Sequence, residues 1–169
     1  MNDTDVIPVA NPALRSFFQL VDSTSRLLAR FPASLTLFTL RIAVAVPFFR
    51  SGLTKWDGFL QLSGSAVYLF TEEFRLHLFG GEYVYPVPNV MAFLSGSGEI
   101  VLPILLVLGL GTRFAALGIL AMTALIQLTV PDGWANFHLP WAAMALAVMT
   151  YGPGRISLDH LIASRYRAL

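Results

Sequence analysis

The sequence lacks cysteine altogether and has few charged residues. Lysine, arginine, aspartate and glutamate make up 12% of its 169 residues, about half of their share in a typical soluble domain. The absence of cysteine excludes disulfide bonds, thiolate metal sites and a thiol nucleophile. The net charge of +1 gives no indication of nucleic-acid binding. With 56% hydrophobic residues, the chain has too little polar surface to cover itself in water, which indicates a membrane protein.

Familiar catalytic and cofactor motifs are also absent from the sequence. It contains no phosphate-binding loop, no Gly-x-Ser-x-Gly sequence and no dinucleotide-binding fingerprint. The three histidines, His77, His138 and His160, fall on separate segments, and their spacing matches no metal-binding motif. We therefore predict no metal site, and the sequence leaves open whether the protein is an enzyme.

Four apolar blocks come close to the length that a bilayer requires of a helix, roughly 20 residues. They cover approximately residues 34–53, 89–110, 113–130 and 137–151, of which the fourth is the shortest. We predict an all-α fold, a transmembrane four-helix bundle. Between the second and third blocks, we expect Gly111 to end one helix and Thr112 to cap the next, which would make these two spans antiparallel neighbours.

Two further segments, residues 12–31 and 65–79, have apolar residues at helical spacing with charges beside them. This pattern is typical of amphipathic helices that lie flat on a membrane. Residues 1–11 are predicted to form a disordered tail. Residues 34–152 would then hold the four-span bundle, with residues 1–33 as a cytoplasmic tail and interfacial helix, and 153–169 as a cytoplasmic C-terminal segment.

That C-terminal segment is predicted to contain a last short helix. Ser157 is suited to cap its N-terminus. Asp159 suits the first turn, and Arg165 and Arg167 suit the last turn, because these charges complement the helix dipole.

Basic residues predict the orientation of the bundle, because cytoplasmic loops of membrane proteins carry an excess of lysine and arginine. Most of them lie in the N-terminal segment, the turn between the second and third spans, and the C-terminal segment: Arg15, Arg26, Arg30, Arg113, Arg155, Arg165 and Arg167. The other two loops carry mostly acids. We therefore expect both termini in the cytoplasm, with residues 12–31 on the inner leaflet and 65–79 on the outer leaflet.

Two charged residues, Arg41 and Glu99, lie well inside predicted spans, where a charge costs about 2.5 to 3.5 kcal/mol on insertion scales. Counting about 1.5 Å per residue from the outer helix ends places them at similar depths. We therefore expect the two side chains to touch, directly or through one water. Such a pair would either fix which helices face each other or form a site that handles protons or polarises a ligand. Pro103 removes the helical hydrogen bond to the Glu99 carbonyl.

A second polar set is predicted near the outer helix ends: Arg50, Lys55, Gln127 and His138, with Asp57 nearby. Basic side chains at an interface commonly extend toward lipid headgroups, and a histidine that starts a helix commonly caps it. Cations beside a histidine and aromatic rings would equally suit a quinone headgroup or a small anion. Both interpretations remain open from the sequence.

Several segments taken in order resemble the DoxX family of small bacterial membrane proteins. They are residues 40–43, 51–56, 98–99, 109–116 and 152–159. The resemblance implies a four-helix bundle in the bacterial inner membrane, with an arginine in the first span and a glutamate in the second, matched here by Arg41 and Glu99. The family is named for a link to thiosulfate oxidation with quinone as acceptor, and other members resemble partners in oxidative-stress or metal-stress systems.

Two function hypotheses follow from this resemblance. In the first, the chain is an accessory subunit of a redox or stress-response system, with membrane lipid around it, a protein partner, and a non-covalent quinone in the bundle. In the second, it is a non-catalytic scaffold or small transporter that assists periplasmic metal or stress handling. Bound quinone in the purified protein would favour the first hypothesis, and a co-purifying soluble partner without quinone would favour the second.

The predicted topology can be tested with reporter fusions. Because basic residues flank both ends of the chain, fusions near residues 70 and 134 should report as external and a fusion at residue 169 as internal. A cytoplasmic signal from the fusion near residue 70 would overturn the orientation.

Overall fold

The computed structural model describes residues 12–166, so the predicted tail at residues 1–11 and Arg167 lie outside the described part. The chain divides into two units, Met1–Pro32 and Ala33–Leu169. In the first unit, helix α1 runs from Pro12 to Leu28 and is strongly amphipathic, which confirms a helix where residues 12–31 predicted one. Its apolar side chains, among them Phe17, Phe18 and Leu28, are largely exposed.

The second unit is mostly helical. Its elements are α2 (Ala33–Leu53), β1 (Trp56–Gly58), β2 (Gln61–Leu62), α3 (Gly64–Tyr68), β3 (Arg75–Leu78), β4 (Gly81–Val84), α4 (Pro88–Leu108), α5 (Thr112–Thr129), α6 (Leu139–Tyr151) and α7 (Leu158–Tyr166). A π-helical turn, Leu69–Glu73, follows α3, and a second one, Trp134–His138, precedes α6. The predicted spans therefore begin and end within about two residues of the observed helices.

Among the described residues, three helices are long and apolar enough to cross a membrane: α2, α4 and α5. The chain is thus an integral membrane protein. The fourth predicted span corresponds to α6, which has only 13 residues. Helix α6 is shorter than predicted because the residues directly before it, Trp134–His138, form a π-helical turn and not an α-helix.

Helices α2, α4, α5 and α6 surround one apolar core. Helix α2 packs against α4 and α6, and α5 packs against the same two helices. The core lies between them and consists mainly of small and branched residues, including Val44, Ala116, Ile119, Ala145 and Val148. Small residues let transmembrane helices approach closely where lipid provides no hydrophobic driving force.

Two β-hairpins lie between α2 and α4, so the all-α prediction is wrong for this loop. In the second hairpin, β3 and β4 are antiparallel with Leu78 opposite Gly81. The two turn residues, Phe79 and Gly80, both have positive φ angles of 50° and 80°, as a tight hairpin turn with the correct twist requires. The predicted helix 65–79 therefore ends at Glu73, because residues 75–84 bury their backbone groups in strand pairing instead.

The turn between α4 and α5 also differs from its prediction. Gly109, with a φ angle of 69°, ends α4, and Gly111 precedes α5. Thr112 does not cap α5 with its own side chain. Asp159 on α7 does so, accepting hydrogen bonds from Gly111 N at 2.8 Å, Thr112 N at 2.9 Å and Thr112 Oγ1 at 2.8 Å. Helix α7 itself begins as predicted, with His160 N donating to Ser157 Oγ at 3.1 Å.

Asp159 should contribute to stability in a pH-dependent way. Burial tends to raise the pKa of its carboxyl, but hydrogen bonds from Thr112 and Gly111 and the positive charge of Arg41 outweigh burial and lower the pKa. A carboxyl with a lowered folded-state pKa stabilises the fold above its unfolded value of about 3.9, and that contribution is lost as pH falls through the folded value.

We therefore expect Asp159→Asn to lower the free energy of unfolding by about 2 kcal/mol at neutral pH, because charged acceptors form the stronger hydrogen bonds. Unfolding of the detergent-solubilised protein would measure it, and the difference from wild type should shrink below about pH 4. Asp132→Asn is the matched control, since Asp132 is exposed. Equal stability of wild type and Asp159→Asn at pH 7 would contradict the capping role.

Candidate functional site

Glu99 is a buried acid on α4, and its partner is Lys55. Its side chain is 4% exposed, and its Oε2 lies 2.6 Å from Lys55 Nζ. Ser95, one turn earlier on α4, donates its hydroxyl to Glu99 Oε1 at 3.1 Å. Lys55 also donates to Ser51 Oγ at 3.1 Å. A short polar network thus lies inside an otherwise apolar bundle.

A close approach between α2 and α4 brings Lys55 to Glu99. At Gly52, an added Cβ would lie 3.0 Å from both the carbonyl carbon and the Cβ of Glu99, so only glycine fits without displacing a neighbour. Helix α2 ends at Leu53, and the chain then turns so that the Lys55 ammonium reaches the Glu99 carboxylate. The backbone contact at Gly52 therefore sets the geometry of the ion pair.

Trp56 holds the other side of this turn against α4. A Cβ built on Gly96 would lie 3.1 Å from three atoms of the Trp56 indole, and the Trp56 ring packs edge-on against Phe93, with centroids 5.3 Å apart. Gly96 and Gly98, which precede Glu99 on α4, therefore admit close neighbours. One of these neighbours is an indole from the loop, which the sequence did not identify.

The ion pair lies on the wall of a cavity of about 530 Å³, within the range of pockets that hold small organic molecules. Helices α2, α4, α5 and α6 and the loop after α3 all contribute to it. Its lining is mostly apolar, and several of the lining residues carry an aromatic ring or a thioether: Phe48, Phe70, Phe74, Tyr85, Met91, Met122 and Trp141. The polar groups are few, and the charged ones are Lys55 and Glu99.

Lys55 and Glu99 retain hydrogen-bonding capacity toward the cavity. An ammonium has three donors, and Lys55 uses two of them, on Glu99 and Ser51. An ionised carboxylate has about four acceptor positions, and Glu99 uses two, for Lys55 and Ser95. The cavity wall thus offers a donor and an acceptor side by side, next to flat aromatic surfaces.

Arg41 lies at the opposite end of the bundle. It is fully buried on α2, and its guanidinium donates to the backbone carbonyls of Leu106, at 3.2 Å, and of Ile156. The Phe38 ring lies 5.4 Å from the guanidinium carbon. Within residues 12–166, its Nε has no hydrogen-bond partner. Arg41 therefore joins α2 to the end of α4 and to the C-terminal segment.

The predicted contact between Arg41 and Glu99 is wrong. Glu99 is paired with Lys55, whereas Arg41 bonds to Leu106, which lies about 10 Å further along α4 than Glu99. The depth count failed because it assumed that the end of α2 and the start of α4 lie in one plane at the outer surface. In the structure, Gly52, near the end of α2, lies beside Glu99, so about ten residues of α4 extend beyond α2.

The residues of the predicted outer polar set lie in three separate places. Lys55 belongs to the cavity, and Arg50 is exposed at the end of α2 and does not line the cavity. Gln127 and His138 form a pair of their own: His138 is 3% exposed, and its Nδ1 lies 2.6 Å from Gln127 Oε1. His138 is thus a buried, hydrogen-bonded residue, not a surface cap. The π-helical turn at Trp134–His138 directs it inward beside Trp141.

Sequence reasoning missed Ser95, Ser51 and the loop aromatics of the cavity. Ser95 and Ser51 had a usable signal, because each lies four residues before a charged residue, Glu99 and Lys55, and therefore on the same helical face. Phe70, Phe74 and Tyr85 had none, since a π-helical turn and a hairpin place them and neither is apparent from periodicity.

A double-mutant cycle distinguishes the two possible partners of Glu99. We expect Lys55→Met and Glu99→Leu each to lower the free energy of unfolding in detergent by about 3 kcal/mol, because each leaves a buried charge unpaired. The double variant should lose clearly less than the sum. Arg41→Met combined with Glu99→Leu should instead be additive within about 0.5 kcal/mol. Additivity for Lys55 with Glu99 would refute the pair.

Comparisons with known proteins agree with this architecture. The DoxX family model matches residues 36–132, which include most of α2, both hairpins, α4 and α5. An uncharacterized protein of Haemophilus influenzae is 30% identical over 145 residues, covering 79% of this chain and 87% of that protein. No solved structure matches the chain. Because the family model covers more than half of the sequence, the chain belongs to the DoxX family.

Proposed function

We propose that this DoxX-family protein is an accessory subunit of a redox or stress-response system in the bacterial inner membrane, and that its cavity binds a quinone-type ligand. The observation that carries the proposal is the Lys55–Glu99 pair on the wall of an aromatic cavity.

Four spans account best for the packing of α6. Together with its preceding π-helical turn, it is helical from Trp134 to Tyr151, about 27 Å at 1.5 Å per residue. This stretch contains no Asp, Glu, Lys or Arg. At one end, His138 meets Gln127 near the end of α5; at the other, Gly152 lies beside Arg113 at its start. Helix α6 thus runs antiparallel along α5 and would cross the same hydrocarbon layer.

The orientation follows from charge. The ends that would face the cytoplasm carry Arg113 and Arg155, whereas the opposite loops carry Asp57, Glu72 and Glu82. Positive charge on the cytoplasmic side is the general rule for such loops. Both termini would then be cytoplasmic, and the cavity would lie in the outer half of the bundle.

The cavity has the chemistry that a quinone headgroup needs. A quinone is a flat apolar ring with carbonyl oxygens, and its reduced form carries hydroxyls. The free donor of Lys55 suits a carbonyl oxygen, and the spare acceptor positions of Glu99 suit a hydroxyl. Aromatic rings such as Phe70 and Trp141 supply flat surfaces for stacking. Glu99 and Lys55 would orient the ligand and hold protons near its oxygens.

Electrons would come from a partner. The sequence has no cysteine, so this chain cannot itself cycle a disulfide. A quinone that reaches the cavity from the lipid would therefore receive or donate electrons through a second protein. The chain would therefore be an accessory subunit and not a complete oxidoreductase.

Tryptophan fluorescence tests the proposal directly. Trp141 lines the cavity, so titration of the detergent-solubilised protein with a short-chain ubiquinone should quench its emission saturably. Lys55→Met should weaken binding about tenfold, since a hydrogen bond from a charged donor contributes about 1.5 kcal/mol or more. Trp141→Phe should remove most of the saturable quenching.

A matched pair of variants on α5 provides the control. Leu125 lines the cavity and is 54% exposed, whereas Leu117 has a similar exposure of 52% and does not line it. Leu125→Phe should weaken quinone binding and Leu117→Phe should not. Equal, unsaturable quenching in both would indicate partition into detergent and would sink the proposal. A soluble protein that co-purifies while lipid extracts contain no quinone would favour the scaffold hypothesis.

A further inference from the structure

A second recess, of about 650 Å³, lies at the end of the bundle opposite the cavity. It is formed by the start of α2, the turn between α4 and α5, and the C-terminal segment with α7. None of the Lys55 network takes part in it. Its chemistry is different from that of the cavity, because two arginines line it.

Arg113 and Arg155 both line this recess. Both residues are exposed, and within the described residues 12–166 neither side chain has a hydrogen-bond or ion-pair partner. Asp159 is the acid in the lining, but its carboxylate is occupied by Gly111 and Thr112. Two arginines against one aspartate leave a surplus of one positive charge, even with His160 neutral.

The backbone beside each of the two arginines has defined contacts. Gly152 has a φ angle of 82°, and a Cβ there would lie 3.3 Å from Arg113 Nη2, so the chain passes directly against this guanidinium. The backbone N–H of Arg155 donates to Ser34 Oγ at 3.1 Å, which anchors it beside the start of α2. Both arginines are therefore attached to backbone that is packed or hydrogen-bonded beside the recess.

Apolar groups adjoin these charges. Leu37 and Phe114 also line the recess, and Phe114 is 82% exposed at the start of a membrane-spanning helix. A ligand that satisfies both parts must have an anionic group and a hydrocarbon portion beside it. Basic pockets between transmembrane helices are known to bind phosphate-bearing lipid headgroups.

We propose that this recess is a binding site for an anionic phospholipid, with its phosphate between Arg113 and Arg155 and its acyl chains along Phe114. A free phosphate would satisfy the arginines but would leave the Phe114 ring, which is 82% exposed, uncovered. The site is separate from the quinone-type cavity, so either can fail without the other.

Native mass spectrometry of the full-length protein in detergent tests the site. The probes are phosphatidylglycerol, phosphatidylcholine with the same acyl chains, and inorganic phosphate. We expect phosphatidylglycerol to bind best, and Arg113→Gln and Arg155→Gln each to weaken it about fivefold, or roughly 25-fold together. Arg50→Gln, which removes an exposed arginine at the other end of the bundle, should leave this binding unchanged.

A charge-preserving variant separates binding from folding. Arg113→Lys with Arg155→Lys should retain most of the phosphatidylglycerol affinity, and all variants should unfold at the wild-type temperature. Equal binding of phosphatidylcholine and phosphatidylglycerol would overturn the proposal, as would wild-type affinity in the double glutamine variant. Full competition by inorganic phosphate would overturn the assignment to a lipid.

Discussion

A charge inside a bilayer cannot be hydrated, and two helices of this protein each carry one. The bilayer core offers no water to satisfy a guanidinium or a carboxylate, so Arg41 on α2 and Glu99 on α4 must find partners within the protein. Neither uses the other. Glu99 is satisfied by Lys55 from the turn after α2, and Arg41 by carbonyls of Leu106 and Ile156.

This requirement ties the segments outside the spans to the bundle. At one end, Lys55 binds Glu99, and the chain that follows places Trp56 on Gly96 and starts the two hairpins. At the other end, the Arg41 guanidinium holds the carbonyl of Ile156, and Asp159 then reaches the exposed N–H groups of α5. Each intramembrane charge thus sets the path of a loop or terminus, because that segment supplies its partner.

The sequence was sufficient to predict where the helices begin and end. It was insufficient to predict their register, which is how far one helix is shifted along its neighbour. Apolar length identified α2, α4 and α5 within about two residues, because the bilayer imposes that length directly. Register was lost because it depends on where each helix starts relative to its neighbour. The close approach of α4 at Gly52 decides that offset. A glycine in the sequence does not show which part of the chain will pack against it.

The candidate site was predictable to the same extent. Glu99 and Lys55 were identified by residue type and approximate depth, but as members of two separate predicted sites, so their contact was not predicted. Gln127 and His138, predicted beside Lys55, form a pair of their own outside the cavity. The hairpin at residues 75–84 was missed because apolar residues in its strands also fit a helical stripe. A two-residue turn with Phe79 at a positive φ angle is an uncommon choice that sequence rules do not favour.

The two charged sites contribute differently to the protein. Asp159 satisfies backbone N–H groups at the start of α5 that would otherwise lack partners. Arg41 joins α2 to the end of α4 and to the C-terminal segment, so both residues are part of what closes the bundle. The Lys55–Glu99 pair is not required for stability in the same way, since replacing a buried ion pair by well-packed apolar residues is often neutral or stabilising. It also borders a cavity, where larger apolar side chains would pack at least as well. Stability alone does not account for an acid and a base on that wall, and their unused donor and acceptor positions suit a ligand in the cavity.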